Sequence, residues 1–164
     1  MSDVEYIIET TDLSKSYGPH LALENLNLKI RKGATGLLGP NGAGKSTFLK
    51  TILGLIQATS GHGTVLGHDI RTEGAAIRSR IGYMPEYDAL NPDMEAIHQV
   101  KYSGELLGMN PIVAMSRAHE VLQYVGLGEQ RYRNIGSFST GMKQATKLAC
   151  SIIHDPELII ADAV

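Results

Sequence analysis

A glycine-rich stretch from Gly39 to Thr47 restricts the fold of this chain more than any other feature. It reads Gly-Pro-Asn-Gly-Ala-Gly-Lys-Ser-Thr, which matches the phosphate-loop pattern of Gly, four residues and then Gly-Lys-Ser. Glycines at these positions let successive backbone N–H groups turn toward one anion. A strand-like run, Ala34 to Leu38, precedes the loop, and apolar residues at helical spacing follow it. The order strand, loop, helix predicts a nucleoside triphosphate site.

Each part of this loop has a physical role in binding a triphosphate. Lys45 brings a positive charge to the β- and γ-phosphates, and the Ser46 hydroxyl is a ligand for Mg²⁺. The helix that begins there directs the positive end of its dipole at the same anion. The predicted ATP-binding residues of the loop are Gly39, Pro40, Asn41, Gly42, Ala43, Gly44, Lys45, Ser46 and Thr47.

The composition excludes several classes of function. The formal net charge of -2 gives no general attraction for nucleic acid, and no dense Lys/Arg run is present. Cys150 is the only cysteine, so no internal disulfide forms, which suits a reducing cytosol. The acidic N-terminus is unlike a signal peptide, and no apolar run approaches a membrane span. We therefore expect any membrane association to come through a partner.

Hydrophobic periodicity divides the chain into three parts. Residues 1–86 contain alternating strands and the loop, which predicts a β subdomain joined to part of an ATP-binding core. Residues 87–135 have helical periodicity, with Asn110 and Pro111 as a helix start. Residues 136–164 contain an amphipathic helix, with Lys147 outside its apolar stripe, and then an apolar run that is typical of a buried parallel strand.

Three further features are ambiguous when each is taken alone. Asp162 follows the apolar run Leu158–Ala161, where a carboxylate can hold Mg²⁺ opposite Ser46, although an Asp is common at any strand end. Ser139 to Gln144 begin a helix, and this segment is either an anion cradle or a plain serine N-cap. Tyr17 lies in a turn and is either a stacking surface for a purine or an ordinary surface tyrosine.

Taken in order, these motifs resemble the ATPase subunit of ATP-binding cassette (ABC) transporters over the whole chain. The matches are Tyr17 for the adenine-stacking aromatic, Gly39–Thr47 for the phosphate loop, Ile81–Glu86 for the switch segment, Phe138–Gln144 for the signature and Leu158–Asp162 for the Walker B strand. The signature resembles that of the export-type branch. The resemblance implies an α/β P-loop NTPase fold with a RecA-like core, N-terminal antiparallel β strands and an inserted helical subdomain.

The resemblance also implies a set of ligands and partners. The cofactors would be ATP and Mg²⁺, with Tyr17 under the base, Ser46 and Asp162 on the metal, and Glu86 as a further ATP contact and metal ligand. Contacts to the ATP of a facing subunit, in a homodimer or heterodimer, would come from Ser139, Thr140, Gly141, Met142 and Gln144. A transmembrane subunit would dock at about Glu86 to Leu107. The location would be cytoplasmic, at the inner face of the cell membrane.

The chain departs from the family pattern at several positions. Glu86 stands where the family usually has Gln, Phe138 replaces Leu, and Thr140 replaces Gly. Ala163 stands where the family places the glutamate that polarises the attacking water, and loss of a positioned base commonly lowers a rate by about 10²–10⁴. The sequence ends before the dimer-contact loop and the switch histidine, which resembles a truncation just after Walker B.

Two hypotheses for the function remain open at this point. In the first, the chain is the ATP-binding subunit of a transporter that couples ATP hydrolysis to export. In the second, it is a truncated or degenerate module that binds ATP without turnover. Separately, we expect the isolated chain to be marginally stable or prone to aggregation. A GTPase is disfavoured because no Asn-Lys-x-Asp motif is present, and a kinase would not explain Ser139 to Gln144. The sequence does not indicate the transported substrate.

Overall fold

The computed structural model describes residues 6–87 and 89–162. These residues form two compact units, of which one ends at Arg78 and the other begins at Ser79. The division that periodicity predicts, at residues 86 and 135, remains a prediction.

The first unit is built on an antiparallel sheet. Its strands are β1 (Ile8–Tyr17), β2 (His20–Ile30), β3 (Ser60–Val65) and β4 (His68–Asp69), in the order β2-β1-β3-β4. A tight turn joins β1 to β2, and Gly18 enters it with a φ of 55°, a conformation that favours glycine. The N-terminal antiparallel strands that the sequence predicts are therefore confirmed.

The helix after the phosphate loop supplies much of the core of the first unit. This helix, α1 (Lys45–Ile52), buries Phe48 and Ile52 on one face, as the spacing of its apolar residues predicts. Leu13 of β1 and Val65 of β3 are fully buried as well. A short helix, α2 (Gly74–Ser79), buries Ile77. The loop is thus fixed at one end by a helix that is anchored in a hydrophobic core.

The strand predicted before the phosphate loop is not formed. Ala34 to Leu38 has no strand partner among the described residues, and each of these five residues is exposed, Leu38 to 94%. A single extended segment leaves its N–H and C=O groups unpaired, and only a neighbouring strand stabilises it as part of a sheet. The apolar character of this run indicates a strand, while the pairing that a strand needs is not provided by the residues described.

The second unit combines a helical cluster with two parallel strands. Its helices are α3 (Ala96–Leu106), α4 (Pro111–Tyr124) and α5 (Thr140–Ile152), and 3-10 turns at Gly128–Tyr132 and Ile135–Ser137 connect α4 to α5. Side chains from all three helices and from the connection bury one core, which includes Val100, Leu122, Ile135 and Ile153. The helical character predicted for the middle of the chain is therefore confirmed.

The two strands of this unit are β5 (Ile81–Met84) and β6 (Leu158–Ala161), which pair in parallel. The prediction of a wholly buried parallel strand holds only in part, because Ile160 is buried whereas Ile159 is 48% exposed. Within residues 6–87 and 89–162, β6 has β5 as its one strand neighbour, so its other edge is unpaired. Ile159 and Ile160 project from opposite faces of β6, of which only the Ile160 face is covered.

The ends of α4 agree with the sequence. The Asn110 side-chain oxygen accepts a hydrogen bond from the Ile112 N–H at 3.0 Å, and Pro111 occupies the first helical position. Such a cap is worth about 1 kcal/mol. Gly126 follows the helix with a φ of 82°, as expected of a glycine that ends a helix.

In the part of the chain that is described, no helix has the length and apolar character needed to cross a membrane.

Candidate functional site

The phosphate-loop sequence folds into a tight turn with two left-handed glycines. Gly42 has a φ of 83° and Gly44 a φ of 82°. The Ala43 N–H donates to the Pro40 carbonyl at 3.2 Å, which closes the turn between them. Left-handed residues alternating with right-handed ones point successive N–H groups to one side, which is the geometry of an anion-binding nest. The glycines at Gly42 and Gly44 therefore have the conformational role that the sequence predicts.

Gly44 has a second role, because it packs closely against β2. A Cβ added there would collide with the Ala22 carbonyl oxygen and would lie 2.9 Å from Leu23 Cδ2. At Gly42 an added Cβ would meet nothing within 4 Å. Gly44 is also the N-cap of α1 and carries no side-chain cap. The glycine thus lets the end of the loop approach the sheet closely and so positions the start of the helix.

The Lys45 side chain turns back over the loop. Its ammonium donates to the Gly39 carbonyl at 2.6 Å and to the Pro40 carbonyl at 2.9 Å. A lysine ammonium has three donors, and an ionised phosphate is a stronger acceptor than a neutral carbonyl. The positive charge is therefore concentrated beside the loop, in the place where the motif requires it.

The start of α1 adds backbone donors to this charge. The N–H groups of the first turn of a helix have no acceptor within the helix, and the dipole places partial positive charge there. Gly44 has no side chain that could accept a hydrogen bond from the N–H groups of Lys45, Ser46 and Thr47. The exposed Ser46 side chain lies in this turn. Loop, lysine and helix end together form a site with the donors and the charge of an anion cradle.

Tyr17 lies at the end of the sheet that approaches the loop. It is the last residue of β1 and pairs with His20, and His20 is two residues before Ala22, which touches Gly44. Two residues of a strand span about 7 Å, so the hairpin end and the loop are close neighbours. The Tyr17 ring is 47% exposed, and the Lys15 ammonium lies 5.0 Å from its centroid. This placement is compatible with a base contact, which stays a prediction.

In the signature segment, exposed polar residues directly follow a buried phenylalanine. Phe138 is buried in the helical core, whereas Ser139, Thr140, Gly141 and Gln144 are exposed. The Ser139 hydroxyl oxygen accepts a hydrogen bond from the Met142 N–H at 3.3 Å, so the plain N-cap interpretation is confirmed. The cap does not exclude the anion cradle, because the start of α5 remains exposed.

Asp162 stands directly after β6, next to a tyrosine that the sequence analysis did not single out. The Asp162 N–H donates to the Met84 carbonyl at 2.9 Å, which extends the pairing with β5. Tyr83 pairs with Ile160, so Tyr83 and Asp162 lie on the same face of the two strands. The Tyr83 hydroxyl lies close enough to the Asp162 carboxylate for the negative charge to act on it. Only the pairing of the strands reveals this neighbour, and the linear sequence carries no signal for it.

The pKa of the Tyr83 hydroxyl is raised above its ordinary value. Burial is the largest cause, and the negative charges of Asp162 and Glu86 add to it. Tyr83 therefore remains neutral at neutral pH.

Glu86 is exposed at the surface just after β5. Its carbonyl oxygen accepts a hydrogen bond from the Lys147 ammonium at 3.3 Å, and the Pro85 carbonyl accepts one at 2.9 Å. The expectation that Lys147 lies outside the buried stripe of α5 is wrong, because this side chain is only 4% exposed. The hydrogen bonds to two carbonyls allow the burial.

Shared metal ligation by Ser46 and Asp162 stays a prediction, because these residues belong to different units. Among the described residues, no group of three or more His, Cys, Asp or Glu side chains is arranged to hold a metal ion. That finding is compatible with Mg²⁺ held by a hydroxyl, a carboxylate and phosphate oxygens. Ala163, the position of the expected catalytic glutamate, lies outside the described residues.

A left-handed glycine loop that opens a helix and carries a lysine over its own carbonyls defines a P-loop nucleotide-binding protein. The family model described as "ABC transporter" matches residues 23–163, which is more than half of the chain. The chain therefore belongs to the ABC transporter family.

Curated relatives agree with this assignment. The linearmycin resistance ATP-binding protein LnrL of Bacillus subtilis is 38% identical over 95% of this chain and 50% of its own length. The bacitracin transport ATP-binding protein BcrA of Bacillus licheniformis is 36% identical, with the same coverage of both chains. The chain thus spans about half the length of the curated relatives that it matches.

The fold agrees with solved structures of the same family. One described as the ATP-binding subunit of an ABC transporter matches with a TM-score of 0.80 and 27% identity, over 94% of this chain and 65% of that one. The predicted α/β P-loop NTPase fold is thereby confirmed.

Proposed function

We propose that this chain is the ATP-binding part of an ABC transporter and couples ATP binding and hydrolysis to export through a membrane partner. The observation that carries the proposal is the phosphate loop, in which Gly42 and Gly44 are left-handed and the Lys45 ammonium is held beside the start of α1. Relatives named for linearmycin resistance and bacitracin transport support an export-type role.

The residues of the loop would bind the triphosphate of ATP. The N–H groups at Gly42, Gly44 and the first turn of α1 would donate to phosphate oxygens, and Lys45 would exchange its carbonyl partners for phosphate. Tyr17 would stack on the adenine. Mg²⁺ would neutralise charge on the β- and γ-phosphates, and Ser46 and Asp162 would be its protein ligands. Glu86 would be a further ligand.

A membrane partner would dock on the helical block of the second unit. The notable feature there is a set of large apolar side chains that remain exposed on and after α3, namely Tyr102, Leu106 and Leu107. Exposed apolar residues in a group commonly mark an interaction surface. They fall within the segment from Glu86 to Leu107 that we propose for docking, which would place the protein at the inner face of the membrane.

A second candidate function rests on Ala163. In this alternative the chain binds ATP and provides its signature to a complete partner, with no turnover of its own. The observation that favours it is alanine at the position of the water-polarising glutamate, since a positioned general base contributes about 10²–10⁴ to a rate.

The proposal is tested by titrating the chain with ATP in a calorimeter, with and without Mg²⁺. We expect saturable binding at one site per chain that becomes tighter when Mg²⁺ is present. Absence of binding at millimolar ATP would contradict both functions. Phosphate release, measured on the same samples, separates them, because steady release favours hydrolysis and bound ATP without release favours the alternative.

Gly141 provides a test of the contact to a second subunit. A Cβ added at Gly141 meets nothing within 4 Å, and its φ is outside the left-handed region, so the fold of this chain does not require glycine there. We expect Gly141→Ala to change the free energy of unfolding by less than about 1 kcal/mol. ATP-dependent dimerisation, followed by sedimentation, should weaken about 10-fold or more, because a methyl group would separate the signature backbone from phosphate.

Glu129→Ala is the matched control, since Glu129 is exposed in the same unit and lies outside the signature. Equal dimerisation of Gly141→Ala and Glu129→Ala would refute the trans contact at Gly141.

A further inference from the structure

Lys147 is the one charged side chain that is buried among the residues the structure describes. It lies in the middle of α5, the helix that begins at the signature residue Ser139. Burial of an ammonium group is unfavourable by several kcal/mol unless hydrogen bonds replace its water. A lysine in this position therefore needs specific partners.

The partners of Lys147 are both backbone carbonyls of the switch segment. Its ammonium donates to Pro85 at 2.9 Å and to Glu86 at 3.3 Å, in the two residues that follow β5. Proline has no N–H, so the ladder of β5 cannot continue through Pro85 with a donor of its own. The carbonyls at this point are instead fixed by a side chain from α5.

Two other contacts show that β5 and the end of α5 also approach each other beyond this pair of hydrogen bonds. A Cβ added at Gly82 would collide with the Ser151 carbonyl oxygen, and the His154 Nε2 lies 3.2 Å from the Ile81 carbonyl. Lys147 and Ser151 fall on one face of α5, and His154 follows two residues after its end. One face of α5, with the turn that follows it, thus lies along β5 and the two residues after it, from Ile81 to Glu86.

We propose that Lys147 is a positioning residue that ties Glu86 to the signature helix, so that Ser139 and Glu86 move as parts of one rigid body. The proposal rests on the proposed function, in which the signature and Glu86 contact nucleotide and metal. A shift of α5 when a second subunit engages the signature is then transmitted to the backbone that carries Glu86. The linkage uses close packing at Gly82 and hydrogen bonds at Pro85 and Glu86.

Amide hydrogen exchange of the nucleotide-free chain tests the tie directly. Lys147→Met keeps most of the length of the side chain and removes the ammonium. We expect exchange of the Asp162 N–H, whose acceptor is the Met84 carbonyl beside Pro85, to accelerate by about 10-fold or more, since the segment that carries this carbonyl is no longer held by a charged donor. Exchange in β6 and in the core of α5 should stay within about 2-fold of the parent protein. Lys50→Met, at an exposed position of α1, is the control and should change neither.

Two exchange results would overturn the tie. Unchanged exchange of the Asp162 N–H would show that Lys147 does not hold the segment. A uniform increase over the second unit would show a general structural role. Because Lys147→Met can fail to fold, acetylation of the parent protein is measured too. Lys147 should be the slowest lysine to react with an amine acetylating reagent, and a rate equal to that of Lys50 would overturn the proposal as well.

The functional consequence has a readout of its own. In the folded Lys147→Met variant, ATP binding without Mg²⁺ should be unchanged, because the phosphate loop is intact. The increase in affinity caused by Mg²⁺ should become smaller, since one of the three proposed protein ligands, Glu86, is no longer fixed. Retention of the full increase would refute the positioning role. If the parent protein binds no ATP, the proposed function fails, whereas the exchange experiment still decides whether the tie exists.

Discussion

Lys45→Ala is expected to raise the dissociation constant for ATP on the order of 100-fold. The reason is the number and kind of hydrogen bonds that the ammonium offers. It makes two, to Gly39 and Pro40 within the loop, and both donors would turn to ionised phosphate oxygens. A hydrogen bond to a charged group contributes about 1.5–3 kcal/mol, or roughly 10–100-fold in affinity for each bond. Calorimetry with ATP and Mg²⁺ measures the change.

The control for this experiment is Lys50→Ala. Lys50 lies on the same helix, is exposed, and at five residues from Lys45 falls on a different side of that helix. It should bind ATP as the parent chain does, which separates a specific contact from a general loss of positive charge. Equal affinities of Lys45→Ala and the parent chain would refute the role assigned to Lys45.

Gly44→Ala should have the largest effect on the first unit. The substitution places an L side chain at a left-handed φ of 82° and pushes a Cβ into the Ala22 carbonyl oxygen. Backbone strain alone costs about 1–3 kcal/mol, and the collision adds displacement of α1 from β2. We expect the free energy of unfolding to fall by about 3 kcal/mol or more, and ATP binding to be lost. Urea denaturation and calorimetry measure the two effects.

Gly42→Ala isolates the contribution of packing. Gly42 has nearly the same φ, 83°, but an added Cβ there meets nothing within 4 Å. Its loss of stability should therefore be limited to strain, about 1–2 kcal/mol. If the two variants unfold at the same urea concentration, the close approach of Gly44 to β2 has no energetic weight, and the loop is positioned in some other way.

The sequence was sufficient to predict those structural features that depend on only a few consecutive residues. The left-handed conformations of Gly42 and Gly44, the Asn110 cap and the Ser139 cap each depend on a few consecutive residues, and they form as predicted. Gly39, which was expected to share this conformation, is not left-handed. The apolar face of α1 is similarly local, since helical spacing alone places Phe48 and Ile52 together.

Features that depend on pairing between distant segments were not accessible in the same way. The run Ala34 to Leu38 has the composition of a strand but lacks a neighbour among the described residues. Tyr83 becomes a neighbour of Asp162 only through the parallel register of β5 and β6. The sequence predicts Lys147 at the surface, but its side chain is buried because its ammonium donates to carbonyls more than sixty positions away.

The Ser139 cap has one more consequence, because a serine hydroxyl can accept one hydrogen bond and donate another at the same time. Its lone pair accepts the Met142 N–H, so the hydroxyl proton is not used by that bond. The same group can therefore hold the helix in place while it donates outward to an anion. Cysteine or alanine at this position would lose one or both of these hydrogen bonds, whereas threonine has a hydroxyl that can make both. Helix formation and ligand recognition thus do not compete for this side chain.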